Sequence, residues 1–278
     1  MSLKYHGRPN APDVGVGNKF FLFFTSIIYA KKHNLKIIAK GDRNPYQKIN
    51  KIVKIKNYQE VEFKNGIDKE YNTKIKIKRN YYSDGILKYP ENKDVVLEDF
   101  FHDSRYILEN VDIIMNFIDL NYYRKPSLDG IKYSIGDNDI LCQIRLGEFV
   151  SRQSNVLDPS YFIKIFEENN FDKIYVIVYP FDDKHKENYL KYFKNYIEKI
   201  IFIDCNDEKQ DFYFPYLFKN IAVSNSTFNW WSVFLNADSS KKIYIPRDKS
   251  RLQYNLMWDN CIWKDASYIE TNLIKNEN

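Results

Sequence analysis

Hydrophobic and polar positions change rhythm several times along this chain, and each change predicts an element. Residues 19–32 read KFFLFFTSIIYAKK: apolar on every side, with one Thr25–Ser26 pair inside and two lysines at the end. That run predicts a buried helix whose C-terminal cations complement its dipole. Residues 35–39 predict a short strand behind it. Residues 74–78, Lys-Ile-Lys-Ile-Lys, alternate with period two and predict a strand with one wet face. Residues 99–115 carry Tyr106, Ile107, Val111 and Ile114 near helical spacing. Residues 122–134 are polar, hold Pro126 and Gly130, and predict a linker.

Beyond residue 139 the alternation becomes regular. Strands are predicted at 139–145, 173–179, 200–204, 221–223 and 242–245, the last with Pro246 behind it. Helices are predicted between them at 159–169, 186–197, 211–218 and from about Phe228. Steady strand–helix alternation is the signature of an open parallel sheet. The expectation is therefore an α/β protein with two lobes, 1–135 and 136–250, and a C-terminal tail at 251–278.

Composition fits that picture. Of 278 residues, 44% are hydrophobic, which supplies a core for either one large or two smaller domains. Lys plus Arg exceed Asp plus Glu by 42 − 37 = 5, and the lysines are scattered, so anionic ligands are favoured slightly and a nucleic-acid partner is not expected. Cys142, Cys205 and Cys261 lie far apart without zinc spacing, and the N-terminus shows no signal-peptide or membrane-length apolar run. A cytoplasmic, reducing setting without a transmembrane segment is the expectation.

Three constellations carry candidate chemistry. Gln143-Ile-Arg-Leu-Gly-Glu-Phe149 puts Arg145 at the C-terminal end of a predicted strand, where α/β sheets gather ligands and where a guanidinium fork suits a phosphate. An arginine in an ordinary surface ion pair would read the same way. Ser224-Asn-Ser-Thr-Phe-Asn-Trp-Trp231 places Ser224, Asn225, Ser226 and Thr227 between a short strand and a helix, which makes an anion site or a plain N-cap. Trp230 and Trp231 cannot share one helix face, so one is expected to pack inward and the other sideways. Gly15-Val-Gly-Asn18 precedes the first helix and allows close ligand approach, but it lacks the third glycine and a clear preceding strand of a dinucleotide fingerprint. Asp182 and Asp183 follow a predicted strand. The one Asp-x-Asp triplet, Asp137-Asn-Asp139, sits in a polar turn, and the four histidines are isolated, so no metal is expected.

In order along the chain, these segments resemble the α-1,2-fucosyltransferase family of the GT-B fucosyltransferase superfamily. Val14-Gly-Val-Gly-Asn-Lys-Phe-Phe21 is similar to the family's opening signature with Lys19 for glutamine. Gln143-Ile-Arg-Leu-Gly-Glu-Phe149 is similar to its central one, with Gln143 for histidine and Glu148 for aspartate. Residues 224–231 resemble the late signature nearly whole. Weaker likenesses stand at 97–106, 178–183 and 211–215. The resemblance implies two Rossmann-like lobes facing a central cleft, with the acceptor on the first lobe and the donor mainly on the second. It implies inverting, metal-independent transfer from a nucleotide sugar, GDP-fucose in the family, to a hydroxyl of a glycan acceptor. By that match Gly15, Gly17, Asn18, Gln143, Arg145, Ser224, Asn225, Ser226 and Thr227 would bind donor, with Arg145 neutralising the leaving diphosphate. Another nucleotide-activated deoxyhexose, or a non-catalytic binding relative, remains an alternative. Gln143 cannot act as a base, so Asp13, Glu148 and Asp99 are the candidates, beside deprotonation by water.

Overall fold

The computed structural model of the 278-residue chain describes residues 2–5, 15–40, 45–56, 61–64, 75–77, 95–97, 102–146, 156–179, 183–205, 207–236, 238, 240–248 and 266–271. The chain divides into two units, Met1–Tyr123 and Arg124–Asn278, and the division falls inside the stretch predicted as a linker. That stretch is itself partly helical. α5 (Asn121–Leu128) runs through Pro126 and is stopped by Gly130 at φ +77°. None of its residues is fully buried, so it carries no apolar stripe that a sequence pattern could show.

The first unit is built on a five-stranded parallel sheet of order β4-β2-β1-β6-β5, with β1 Ser2–Tyr5, β2 Lys36–Lys40, β4 Val61–Lys64, β5 Ile75–Ile77 and β6 Val95–Leu97. A separate antiparallel ribbon joins β3 (Lys54–Ile55) to β7 (Ile118–Asp119). The central strand, β1, is one that the sequence pattern did not predict, because Ser-Leu-Lys-Tyr is too short and too polar to stand out. It is a strand ahead of the glycine loop. α1 (Val16–Lys32) is the predicted helix, and residues 20–30 are buried on every side of it. Phe20 stacks on Phe24 at 5.8 Å, and the Ser26 hydroxyl donates to the Leu22 carbonyl at 2.7 Å, which is how a serine sits inside an apolar helix. A short α2 spans Pro45–Asn50. The helix predicted over 99–115 is two: α3 (Ser104–Leu108), capped by Asp103, and α4 (Val111–Phe117). Asn110 divides them, its side-chain amide donating to the Tyr106 carbonyl at 2.7 Å.

The second unit holds a six-stranded parallel sheet of order β10-β9-β8-β11-β12-β13. Its strands are β8 Ile140–Arg145, β9 Ile174–Tyr179, β10 Ile200–Phe202, β11 Asn220–Val223, β12 Lys242–Asp248 and β13 Ala266–Thr271. The helices are α6 (Ser160–Glu168), α7 (Asp183–Tyr192), α8 (Glu208–Tyr213) and α9 (Thr227–Asn236), with 3-10 turns at Lys194–Lys199 and Phe214–Leu217. The helix predicted at 211–218 thus begins earlier and tightens at Pro215. β12 continues through Pro246, which lies past the last residue in register with β11, so its missing N–H costs no ladder bond there. β13 corrects the reading of 251–278 as a tail, since it pairs with β12 over six residues.

Strand alternation divides the second sheet's faces. Ile140, Cys142 and Ile144 of β8 and Ile174, Val176 and Val178 of β9 pack with Tyr161, Phe162, Ile165 and Phe166 of α6 and with Tyr189 and Phe193. The intervening residues, Gln143 and Arg145 among them, therefore point to the other face. There α8 and α9 meet through Phe212 and Phe228, 5.5 Å apart. Trp230 and Trp231 are both 0% exposed and meet edge to face at 4.9 Å. α9 is enclosed on all sides from Phe228 to Asn236.

Candidate functional site

The second sheet has the 3-2-1-4-5-6 order of dinucleotide-binding folds, counted in chain order within the unit. The chain builds outward from β8 to β10, then returns to the other side of β8 to lay down β11. Beyond the carboxyl ends of β8 and β11 the two halves part, and such a point leaves a crevice for a ligand. Arg145 ends β8 and residues 224–227 follow β11, so the two strongest sequence candidates stand side by side. Gln143 is in register with Val223, and the Ser224 N–H donates to the Gln143 carbonyl at 3.1 Å.

The loop is braced from within. The Ser226 N–H donates to the Ser224 carbonyl at 2.8 Å, and the Ser226 hydroxyl caps α9 by accepting from the Phe228 N–H at 3.2 Å. Asn229 donates its side-chain amide to the Gln143 carbonyl at 3.2 Å and to the Ser224 hydroxyl at 3.1 Å. One buried asparagine thus ties the ends of both strands together. Ser232 and Asn236 extend a polar line along α9, both donating to the Phe212 carbonyl, at 2.6 and 3.0 Å. Spacing of three and four residues keeps all three on one helical face. Ser224, Asn225 and Ser226 are buried, while Thr227 is partly exposed at the helix start.

Asp211, on α8, completes the cluster, and sequence reasoning did not select it as a site residue. The Gln143 side-chain amide donates to the Asp211 carboxylate at 3.3 Å and to its backbone carbonyl at 3.4 Å. Part of the residue reaches the surface, but its carboxyl group is enclosed. Burial pushes it from the ordinary 3.8 up to about 7, against the Gln143 hydrogen bond and the nearby Arg145 charge, with Glu208 adding to the rise. The other polar side-chain atom of Gln143, Oε1, is buried and accepts no hydrogen bond from the described residues. The Arg145 guanidinium lies over the ring of Tyr179, its carbon 4.2 Å from the centroid. The site therefore holds a cation, a carboxylate that titrates near neutrality, a buried acceptor without a partner among the described residues, and a helix start.

The first unit contributes its own candidates separately. Gly15 precedes α1 with φ −54°, and a Cβ there would meet nothing within 4 Å, so neither strain nor packing within the described residues requires a glycine. Its carbonyl accepts from the Asn18 N–H at 3.1 Å. Gly17 is buried and Asn18 partly exposed in the first turn. Asp13, Asp99, Glu148, Asp182 and Cys261 lie outside the described residues. Cys142 is a buried free thiol and Cys205 a partly buried one.

The Asp137–Asn138–Asp139 triplet lies at the opposite, amino end of β8. Asp139 accepts from the Gly136 N–H at 2.7 Å and the Lys173 N–H at 3.1 Å, and Asp137 pairs with Lys219. Among the described residues no group of three or more His, Cys, Asp or Glu side chains is placed to hold a metal ion, and no helix is long and apolar enough to cross a membrane.

No protein-family model matches the chain, and no curated protein matches it in sequence. Solved structures do match. The NodZ α-1,6-fucosyltransferase co-crystallised with GDP is similar with a TM-score of 0.51 and 10% identity, over 84% of this chain and 92% of that one. The fucosyltransferase NodZ from Bradyrhizobium is similar with a TM-score of 0.50 and 10% identity, over 84% and 93%. At such identity the likeness establishes the fold: this chain has the parallel-sheet α/β fold of GT-B glycosyltransferases.

Proposed function

We propose that this chain is a glycosyltransferase that takes a nucleotide sugar as donor and transfers the sugar, with inversion, to a hydroxyl of a glycan acceptor. The observation that carries the reading is the placement of Arg145 at the end of β8 and of the 224–227 loop at the end of the adjacent β11, at the parting point of a 3-2-1-4-5-6 sheet. An arginine and a helix start at the ends of neighbouring strands offer what a diphosphate needs. In the step itself, the acceptor oxygen bonds to the anomeric carbon and the bond from that carbon to the diphosphate breaks. The leaving nucleotide gains negative charge, which Arg145 and the α9 N-terminus would stabilise. The acceptor proton passes to a base or to water. Asp13, Glu148 and Asp99 stay the candidates for that role.

The donor we infer is GDP-fucose. A likeness in fold to an enzyme crystallised with GDP, and sequence signatures resembling α-1,2-fucosyltransferases, support the same donor. Linkage to a 2-hydroxyl follows from those signatures, and metal independence from a positive charge supplied by Arg145.

The test is a transfer assay with labelled GDP-fucose, other GDP-, UDP-, ADP- and dTDP-sugars, and a panel of galactose-terminated glycans, with and without EDTA. We expect fucosylated product from GDP-fucose, unchanged by EDTA, with linkage analysis locating fucose on a 2-hydroxyl. Turnover from another activated deoxyhexose would reassign the donor, and loss in EDTA restored by manganese would reassign the mechanism. Tight nucleotide binding without turnover of any donor would make the chain a non-catalytic relative.

A further inference from the structure

The residues of β9 are buried from Ile174 to Val178, and then Tyr179, the last of the strand, stands 49% exposed. A large aromatic ring half out of the protein at the ligand edge of a sheet loses apolar burial that a smaller or polar residue would not forgo. Its neighbour explains the placement. Tyr179 is in register with Arg145 on the adjacent parallel strand, and the Leu146 N–H donates to the Tyr179 carbonyl at 2.7 Å. The two side chains therefore rise from paired positions on the same face, and the guanidinium rests 4.2 Å from the ring centroid.

We propose that Tyr179 is a positioning residue for the diphosphate of the donor: its ring holds the Arg145 guanidinium in the pose that meets the phosphates. The inference rests on the donor site assigned above. An arginine at a strand end carries a long, rotamer-rich side chain, and ordering it only when the ligand arrives weakens the contact. An aromatic face beneath the guanidinium restricts it beforehand without using its in-plane N–H groups. The Asp211 carboxylate attracts the same cation from α8. The ring adds an attraction that does not consume hydrogen-bond donors. The phenol hydroxyl plays no part, so the ring alone should suffice.

Titration calorimetry of GDP, at protein concentrations that hold weakened complexes, tests this with wild type, Tyr179→Phe, Tyr179→Leu, Arg145→Ala and the Arg145→Ala/Tyr179→Leu double variant. Tyr179 is half exposed, so its variants should fold, and circular dichroism melts check this. We expect Tyr179→Leu to weaken GDP binding about fivefold, in line with a half-exposed cation–π contact. Tyr179→Phe should bind like wild type, and the leucine substitution should cost nothing further once Arg145 is gone. An unchanged affinity in Tyr179→Leu would overturn the proposal. So would a loss that persists in the Arg145→Ala background, since the ring would then touch the nucleotide itself. Failure of wild type to bind GDP, UDP or ADP would remove the donor site and this proposal together, whereas wild-type binding that ignores Tyr179 removes this proposal alone.

Discussion

The two edges of the second sheet carry similar polar residues and treat them differently. At the amino edge the groups satisfy one another. Asp139 takes two backbone N–H groups, and Asn220 donates to the carbonyls of both Asp137 and Asp139 at 3.1 Å. Lys241 gives its amine to the carbonyls of Pro215 and Tyr216 at 3.1 and 2.6 Å, and burial lowers it to about 8. At the carboxyl edge Gln143 Oε1 finds no partner among the described residues, burial raises the Asp211 carboxyl to about 7, and the Arg145 guanidinium lies over an exposed ring. Complete internal pairing marks groups that hold the fold. A buried acceptor such as Gln143 Oε1, with no partner among the described residues, is the kind of group a ligand can satisfy.

The contrast breaks most visibly at Arg145. Arg145→Ala should lower donor turnover by about 10²–10³-fold, the range seen when a single transition-state charge contact is lost. The fold should be unaffected, because the residue lies at a strand end and anchors no core cluster. Steady-state kinetics with a thermal melt checks both halves. The reverse pattern is expected at the other edge. Asp139→Ala removes the acceptor for two backbone N–H groups and should cost about 1–3 kcal/mol in urea unfolding. GDP affinity in the folded protein should stay at the wild-type value.

Much of this was legible in the sequence, for reasons that differ by residue. Apolar β-branched runs such as Ile174–Tyr179 and the all-round apolar α1 announce themselves, because their burial is complete and their period is clear. Arg145 and the 224–227 loop were legible too, since each sits where one element gives way to the next. Asp211 was not, because its partner Gln143 is 68 residues away and no local pattern encodes that meeting. Tyr179 was hidden for the same reason: its role comes from a neighbouring strand. β1 and β13 were missed because a short strand draws its stability from the partners on its flanks rather than from its own composition.

A smaller effect sharpens the comparison through pH. The Asp211 carboxyl is raised from 3.8 to about 7 in the folded protein. Folded and unfolded states are both protonated below that window, and above it the folded state bears the cost of an enclosed charge. Stability without ligand should therefore fall as pH rises from about 4 to about 7. Asp211→Asn should flatten that fall in melts recorded across the range, and an identical slope in the variant would place the titrating group elsewhere. The least effect belongs to the exposed pair at the amino edge. Asp137→Asn breaks its contact with Lys219, where the side chains are 81% and 56% exposed, and should change stability by less than about 0.5 kcal/mol without altering GDP affinity.

Hydrogen–deuterium exchange with and without GDP tests the central claim most directly, because it reads both edges of the sheet in one experiment. If the carboxyl edge is the donor site, GDP slows exchange over residues 143–146, Glu208–Tyr213 and 224–229, and leaves 136–140, 171–173 and 219–220 as they were. Protection at the amino edge instead, or no protection at either edge at saturating GDP, would contradict the account.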